Sequence, residues 1–381
     1  MQINQIQRFK NLLIAIFSII ASIIIFMTLD ALLFSKFIHS NSADCYRKKS
    51  YGFYELEENC IGNMAWGNTH YQIYTDNNGF RVKKPHTIQE SSKVGRNSIL
   101  FIGDSFTFGI NGEWKNTFVG MVESKLTNET VFNAGVTSYS PTPYVYALTK
   151  AYAKGIRPTR IIVAIDISDV QDEAAKWDVV DNQPRAIYEQ PVPPESLADA
   201  LNNIFPRTLL VYHFIRDKVY VNKAEKTKYV WNGELKHILD MPRSAFTHTL
   251  AKKLETCGFE NLKCGYLPYG VAGGLQRILS RMQLISSMAK ANNAKLYLLI
   301  YPWPAQLAYE STVIDWEHFI DGVCEQIHCN GVINGFPKFK EFKTENPDWY
   351  SKLFIQGDIH YNSFANRMIA DEILSFLANH P

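Results

Sequence analysis

The sequence predicts an α/β protein: a mainly parallel sheet covered by helices on both faces and preceded by one N-terminal transmembrane helix. Three observations predict it. Short apolar stretches at 98–102, 130–134, 160–165 and 295–301 alternate with segments of helical spacing, the rhythm of parallel strands joined by helical crossovers. Residues 98–102 are apolar without alternation, as a strand buried on both faces is. Residues 12–29 form a single Ile-rich apolar run, close to the shortest that crosses a bilayer.

The elements follow in order. Residues 1–10, with Arg8 and Lys10, read as a cytoplasmic N-terminus and 11–35 as the transmembrane anchor. The apolar run outlasts an ordinary signal-peptide core and no small-x-small cleavage site follows it. Cys45 lies far past the run behind Asp44, unlike a lipoprotein cysteine. Lys36, Arg47, Lys48 and Lys49 follow the run and argue for a cytoplasmic domain. The cysteines argue for export. All six fall in close pairs, Cys45 with Cys60, Cys257 with Cys264, and Cys324 with Cys329, as disulfides of an oxidising compartment would. The adopted reading is a single-pass protein whose domain faces the periplasm or cell surface. Cys324, His328 and Cys329 lack the paired spacing of a zinc site.

Residues 36–95 read as a polar, irregular extension, with Asn78-Gly79 marking a tight turn in the Tyr-Thr-Asp-Asn-Asn-Gly-Phe-Arg run of 74–81. The α/β domain is expected over 96–381. Helices are predicted at 117–126 and 143–154, the latter after the turn at Ser140-Pro141. The rhythm breaks at about 173–270, read as an insertion with Pro191, Pro193, Pro194 and a helical segment at 208–220. It resumes with a helix at 275–292, the strand 295–301, a helix at 313–326, a short strand at 331–333 and a helix at 363–378.

Composition narrows the function. Net charge is +2, with no basic block or stripe, so nucleic-acid binding has no support. Aromatics at 13%, including seven Trp, suit an aromatic-rich core first and flat ligands such as sugars second.

Four places carry chemistry. Ser105, in Gly103-Asp-Ser-Phe-Thr, sits just past the first predicted strand, where ligands of open α/β sheets bind. Alone, Asp104 and Ser105 would read as a helix cap. Asp358 and His360, in Gly-Asp-Ile-His-Tyr-Asn, precede the last helix. An imidazole is the usual base for a serine near neutral pH, and an Asp two residues earlier can fold back to hold its far nitrogen. Gly135, in Asn133-Ala-Gly, could offer its N–H to an oxyanion, since no side chain blocks approach. The acidic run Asp166-Ile-Ser-Asp-Val-Gln-Asp-Glu could suggest a metal but reads better as a polar loop that positions other groups.

Together these residues resemble the SGNH (GDSL) hydrolase superfamily, over roughly residue 74 to the C-terminus without the insertion. The resemblance implies a flavodoxin-like three-layer α/β/α fold with a mainly parallel five-stranded sheet. It assigns Ser105 as nucleophile, His360 and Asp358 as its partners, and Ser105, Gly135 and Ser168 to the oxyanion hole. Two departures stand out. Asp358 and His360 show the closer Asp-x-His spacing, often seen in proteins that acetylate or deacetylate cell-surface polysaccharides. Ser168-Asp169 stands where the family has Asn-Asp, leaving a donor of shorter reach. The implied chemistry needs no cofactor or metal. It is hydrolysis of O-acyl esters on envelope glycans. The alternatives are O-acetyl transfer with a membrane acyltransferase partner, and a non-catalytic assembly or binding module.

Overall fold

The structure, a computed structural model, describes residues 2–37, 45–66, 69–85, 87, 97–110, 112–187, 266–309 and 314–380. The predicted helix at 208–220 and the pair Cys257 and Cys264 lie outside them. The described residues divide into two compact units, one holding 2–37 and the other those from 45 onward. In the first, α1 (Gln2–Phe37) is continuous. Its stretch Gln7–Leu29, 23 residues with mean hydropathy 2.9, is long and apolar enough to cross a membrane. Ile14, Phe17 and Ile24 are all exposed, and a helix apolar on every side suits lipid.

The second unit begins with strands where an irregular extension was expected. β1 (Tyr46–Lys48) pairs antiparallel with β2 (Tyr54–Leu56). β3 (Ile61–Trp66), β4 (Thr69–Thr75) and β5 (Arg81–Val82) then form an antiparallel run. The disulfide Cys45–Cys60 ties β1 to the start of β3. Tyr71, Ile73 and Thr75 are buried while Gln72 is exposed and Tyr74 half-buried. That period of two belongs to a strand with one wet face, which is why the segment looks polar.

The turn into β5 is built as its sequence suggests. Asp76 Oδ1 accepts from the N–H groups of Asn78 and Phe80, both at 2.8 Å. Gly79 has φ +78°, and a Cβ there would lie 2.7 Å from the Leu56 carbonyl oxygen. The turn delivers Arg81 into the interior, where its guanidinium donates to the carbonyls of Phe108, Gly109 and Gly112 at 2.5, 2.6 and 2.6 Å. Burial holds its pKa down to about 10.

The remaining order is β6 (Ser98–Ile102), α2 (Ser105–Phe108), α3 (Phe118–Lys125), β7 (Thr130–Asn133), α4 (Pro141–Ala153), β8 (Arg160–Ala164) and α5 (Ser168–Ala175). The hairpin β9 (Trp177–Val180) and β10 (Gln183–Ala186) follows, so ordered structure continues into the expected insertion, with Trp177 fully buried. Then come α6 (Gly270–Ala291), β11 (Lys295–Ile300), α7 (Pro304–Ala308), α8 (Trp316–Ile327) and β12 (Val332–Asn334). The chain closes with α9 (Phe336–Glu345), α10 (Trp349–Leu353) and α11 (Ser363–Asn379). A second disulfide, Cys324–Cys329, bridges the end of α8.

One sheet of 8 strands runs β12-β11-β8-β6-β7-β5-β4-β3. The expected five-strand parallel set is β7, β6, β8, β11 and β12. The extension adds three antiparallel strands through the pairing of Arg81 with Asn133. α3 packs against α11, while α6 packs against α4, α5 and α8, giving a helical layer on each face. The central parallel strands β6, β8 and β11 are almost wholly buried, as strands covered on both faces are. Numbered along the chain, their order is 2-1-3-4-5, whose direction of winding reverses between β6 and β8. The crevice at the carboxyl ends of those strands opens beside Ser105.

Candidate active site

Local sequence shapes the serine side. Gly103 ends β6, and a Cβ there would lie 2.1 Å from Thr107 Oγ1, so only glycine lets the chain fold straight into α2. Asp104 caps that helix, Oδ1 accepting the Phe106 N–H at 2.9 Å. The helix closes at Gly109 with φ +84°. Ser105 is thereby its first residue, and a first-turn N–H has no intrahelical acceptor. Its Oγ lies 2.8 Å from His360 Nε2 and 3.2 Å from Asp104 Oδ2.

The histidine side is assembled from distant pieces. His360 Nδ1 meets Asp358 Oδ1 at 3.0 Å. The same oxygen accepts the Ile359 N–H at 2.6 Å, and Asp358 Oδ2 accepts from Trp66 Nε1. Burial opposes ionisation of Asp358, but His360 and these hydrogen bonds outweigh it, holding the carboxyl below its ordinary range. The Tyr350 hydroxyl donates to the Asp358 carbonyl at 2.9 Å and accepts its N–H at 3.0 Å. Tyr361 Oη donates to the Pro302 carbonyl at 2.6 Å. Asn362 Oδ1 caps α11 by accepting from Phe364 and Ala365 N–H at 2.9 and 3.1 Å. The imidazole is buried and packs against Phe106, ring centroids 4.8 Å apart. Serine, imidazole and carboxylate thus stand within hydrogen-bond reach in one line, an arrangement that can activate a hydroxyl.

Two expected oxyanion donors are engaged elsewhere. The Ser168 hydroxyl donates to Asp166 Oδ1 at 2.7 Å, and a hydroxyl has one proton to give. The Gly135 N–H donates to Asn133 Oδ1 at 2.9 Å. Both groups assigned to the oxyanion hole by the resemblance thus hold an internal partner in this structure. Gly135 is needed for another reason: a Cβ there would lie 2.5 Å from the Phe108 backbone nitrogen. Glycine lets the loop after β7 close directly on α2. A small cleft beside Ser105 is lined by Phe106, Gly109, Ile110, His360, Tyr361 and Asn366.

Beneath the serine lies a buried acidic group. Asp166 holds Ser168 through Oδ1, and Oδ2 accepts from Trp303 Nε1 at 2.9 Å. Burial, then the nearby Asp166, pushes the Asp104 carboxyl well above the usual range, favouring its neutral form. Glu173 accepts from the hydroxyls of Ser140 and Thr142 at 2.5 and 2.8 Å. The acidic loop therefore positions neighbouring elements. Sequence reasoning missed Trp66, Tyr350 and Trp303. The alternation in β4 could have revealed the hairpin carrying Trp66, but nothing local ties Trp66 to a carboxylate 292 residues away.

No family model matches the sequence, and no curated protein does. Solved structures are similar to it at low identity. An acetylxylan esterase from Geobacillus stearothermophilus shares 11% identity at TM-score 0.38, over 75% of this chain and 95% of that one. A psychrotrophic esterase from Pseudoalteromonas sp. shares 12% at TM-score 0.36, over 74% and 97%. A member of the lipolytic G-D-S-L family from Veillonella parvula shares 11% at TM-score 0.34, over 74% and 98%.

Proposed function

We propose that the chain is a serine acyl-ester hydrolase of the SGNH type, with Ser105 as nucleophile, His360 as base and Asp358 as its partner. One observation carries this: Ser105 Oγ 2.8 Å from His360 Nε2, with His360 Nδ1 3.0 Å from Asp358 Oδ1. His360 takes the hydroxyl proton as Oγ attacks the ester carbonyl, and Asp358 stabilises the imidazolium that forms. The Ser105 N–H faces the developing oxyanion. For Gly135 to join, its N–H must leave Asn133 as the ester binds. The imidazolium then protonates the departing alkoxide, leaving an acyl-serine. Water, deprotonated by His360, releases the acid.

The substrate we favour is an O-acyl group on a cell-envelope glycan, met outside the cytoplasm. The apolar helix α1 and the disulfides Cys45–Cys60 and Cys324–Cys329 support that placement. An acyltransferase differs only in the acceptor, a sugar hydroxyl in place of water, and would draw its acyl group from a separate membrane partner. The test is labelling of the full chain in detergent by a fluorophosphonate. Wild type should be labelled and Ser105→Ala should not, at unchanged thermal stability. Equal labelling of both would sink the assignment.

A further inference from the structure

We propose that Trp66, at the end of β3, is a positioning residue that fixes the Asp358 carboxylate and covers His360, making the β3–β4 hairpin a working part of the active site. The inference rests on the hydrolase reading above. Its basis is two contacts made by one side chain. The indole Nε1 donates to Asp358 Oδ2. The same ring meets the His360 imidazole nearly at a right angle, centroids 5.3 Å apart and planes at 87°.

Asp358 is half-buried as a residue, but its side chain is only 10% exposed, and a largely buried carboxylate oxygen without a donor is costly. Its oxygens are divided between tasks. Oδ1 serves His360 Nδ1 and the Ile359 N–H, while Oδ2 receives the indole. A donor on the outer oxygen stops the carboxylate rotating about its terminal bond, so Oδ1 stays in line with Nδ1. The indole also stands against the imidazole, and the Asp358 and His360 side chains are only 10% and 8% exposed.

The hairpin is built to hold that ring in place. Trp66 pairs with Thr69, the last rung of the β3–β4 ladder. At the opposite end, Cys60 is tied to Cys45 and its carbonyl accepts the Thr75 N–H at 3.0 Å. The extension after the anchor helix thus reaches the catalytic carboxylate directly.

The experiment compares Trp66→Phe, which keeps a ring and loses the N–H, with wild type in both Asp358 and Asp358→Ala backgrounds. In the Asp358 background kcat for p-nitrophenyl acetate and the fluorophosphonate labelling rate should fall about 10- to 100-fold, the range a hydrogen bond to a charged group supports. KM should stay within about threefold if the loss is confined to the transition state. In the Asp358→Ala background the same change should cost almost nothing, since residues acting through one contact are non-additive. A raised KM at unchanged kcat, or an equal loss in both backgrounds, would overturn the proposal. An independent arm follows the indole N–H resonances of the seven Trp by nitrogen-15 NMR in detergent. The signal lost in Trp66→Phe should be the one that moves in Asp358→Ala. If it moves while the wild type takes no fluorophosphonate, the hydrolase reading fails and the contact stands. If it does not move, Trp66 does not act on Asp358.

Discussion

The two sides of the site are held in different ways. The serine side is a single short stretch, 103–109, in which Gly103, the Asp104 cap and Gly109 determine the path within one turn of helix. The histidine side draws on four places in the chain: Trp66, Pro302, Tyr350 and the loop from Asp358 to Asn362. A nucleophile needs only a rigid local turn. An imidazole must be aimed at it from elsewhere, so its geometry depends on every element that pins the loop.

Substitutions can break or sharpen that contrast. The largest effect is expected from Gly135→Ala, whose Cβ would press on the Phe108 backbone nitrogen at 2.5 Å and shift α2 away from His360. Overpacking of this kind costs about 1–3 kcal/mol. Thermal stability should drop, and labelling should fall more than about tenfold. Unchanged labelling would mean that the two sides tolerate relative movement.

Next is Tyr350→Phe, which removes both hydrogen bonds to the Asp358 backbone. With each worth about 1 kcal/mol, labelling should fall by up to about 30-fold while the serine turn stays intact. Activity equal to wild type would show that the contacts of Trp66, Tyr361 and Asn362 suffice to pin the loop.

Asp104→Asn tests whether the serine side relies on a cap or on charge. The amide can still cap α2 but has no charge to bury. The Asp104 carboxyl, raised by burial and by Asp166, contributes stability below its unfolded pKa of about 3.9 that is lost as pH rises through its folded value. Asn should therefore raise the melting temperature at pH 7.5, with the gain shrinking as pH falls toward 4. An equal offset at both pH values would contradict this.

The smallest effect is expected from Ser168→Ala. An oxyanion donor lost would cost about 10²–10³ in rate. A hydroxyl committed to Asp166 should cost less than about threefold, read as kcat on p-nitrophenyl acetate.

These contrasts also explain what could be read in advance. The parallel strands were legible because burial on both faces leaves an unbroken apolar run, as in Ile99 to Ile102. The extension was not, since β3 to β5 are half-wet and β5 finds its partner β7 some fifty residues later. The turn at Asn78-Gly79 was seen as a turn, but its purpose, placing Arg81 under the loop after α2, depends on carbonyls that only folding brings near.

By itself the sequence determined the alternating α/β order, the apolar helix α1 and which side chains are candidates for chemistry, because periodicity and short motifs are properties of neighbouring residues. Tertiary structure alone decided which hydrogen-bond partner each group takes. It brought Ser105 to His360 across 255 positions, directed the Ser168 hydroxyl to Asp166 and the Gly135 N–H to Asn133, and set Trp66 against Asp358. Donors choose among whatever acceptors packing places within about 3 Å, and that choice is not written in any local stretch of chain.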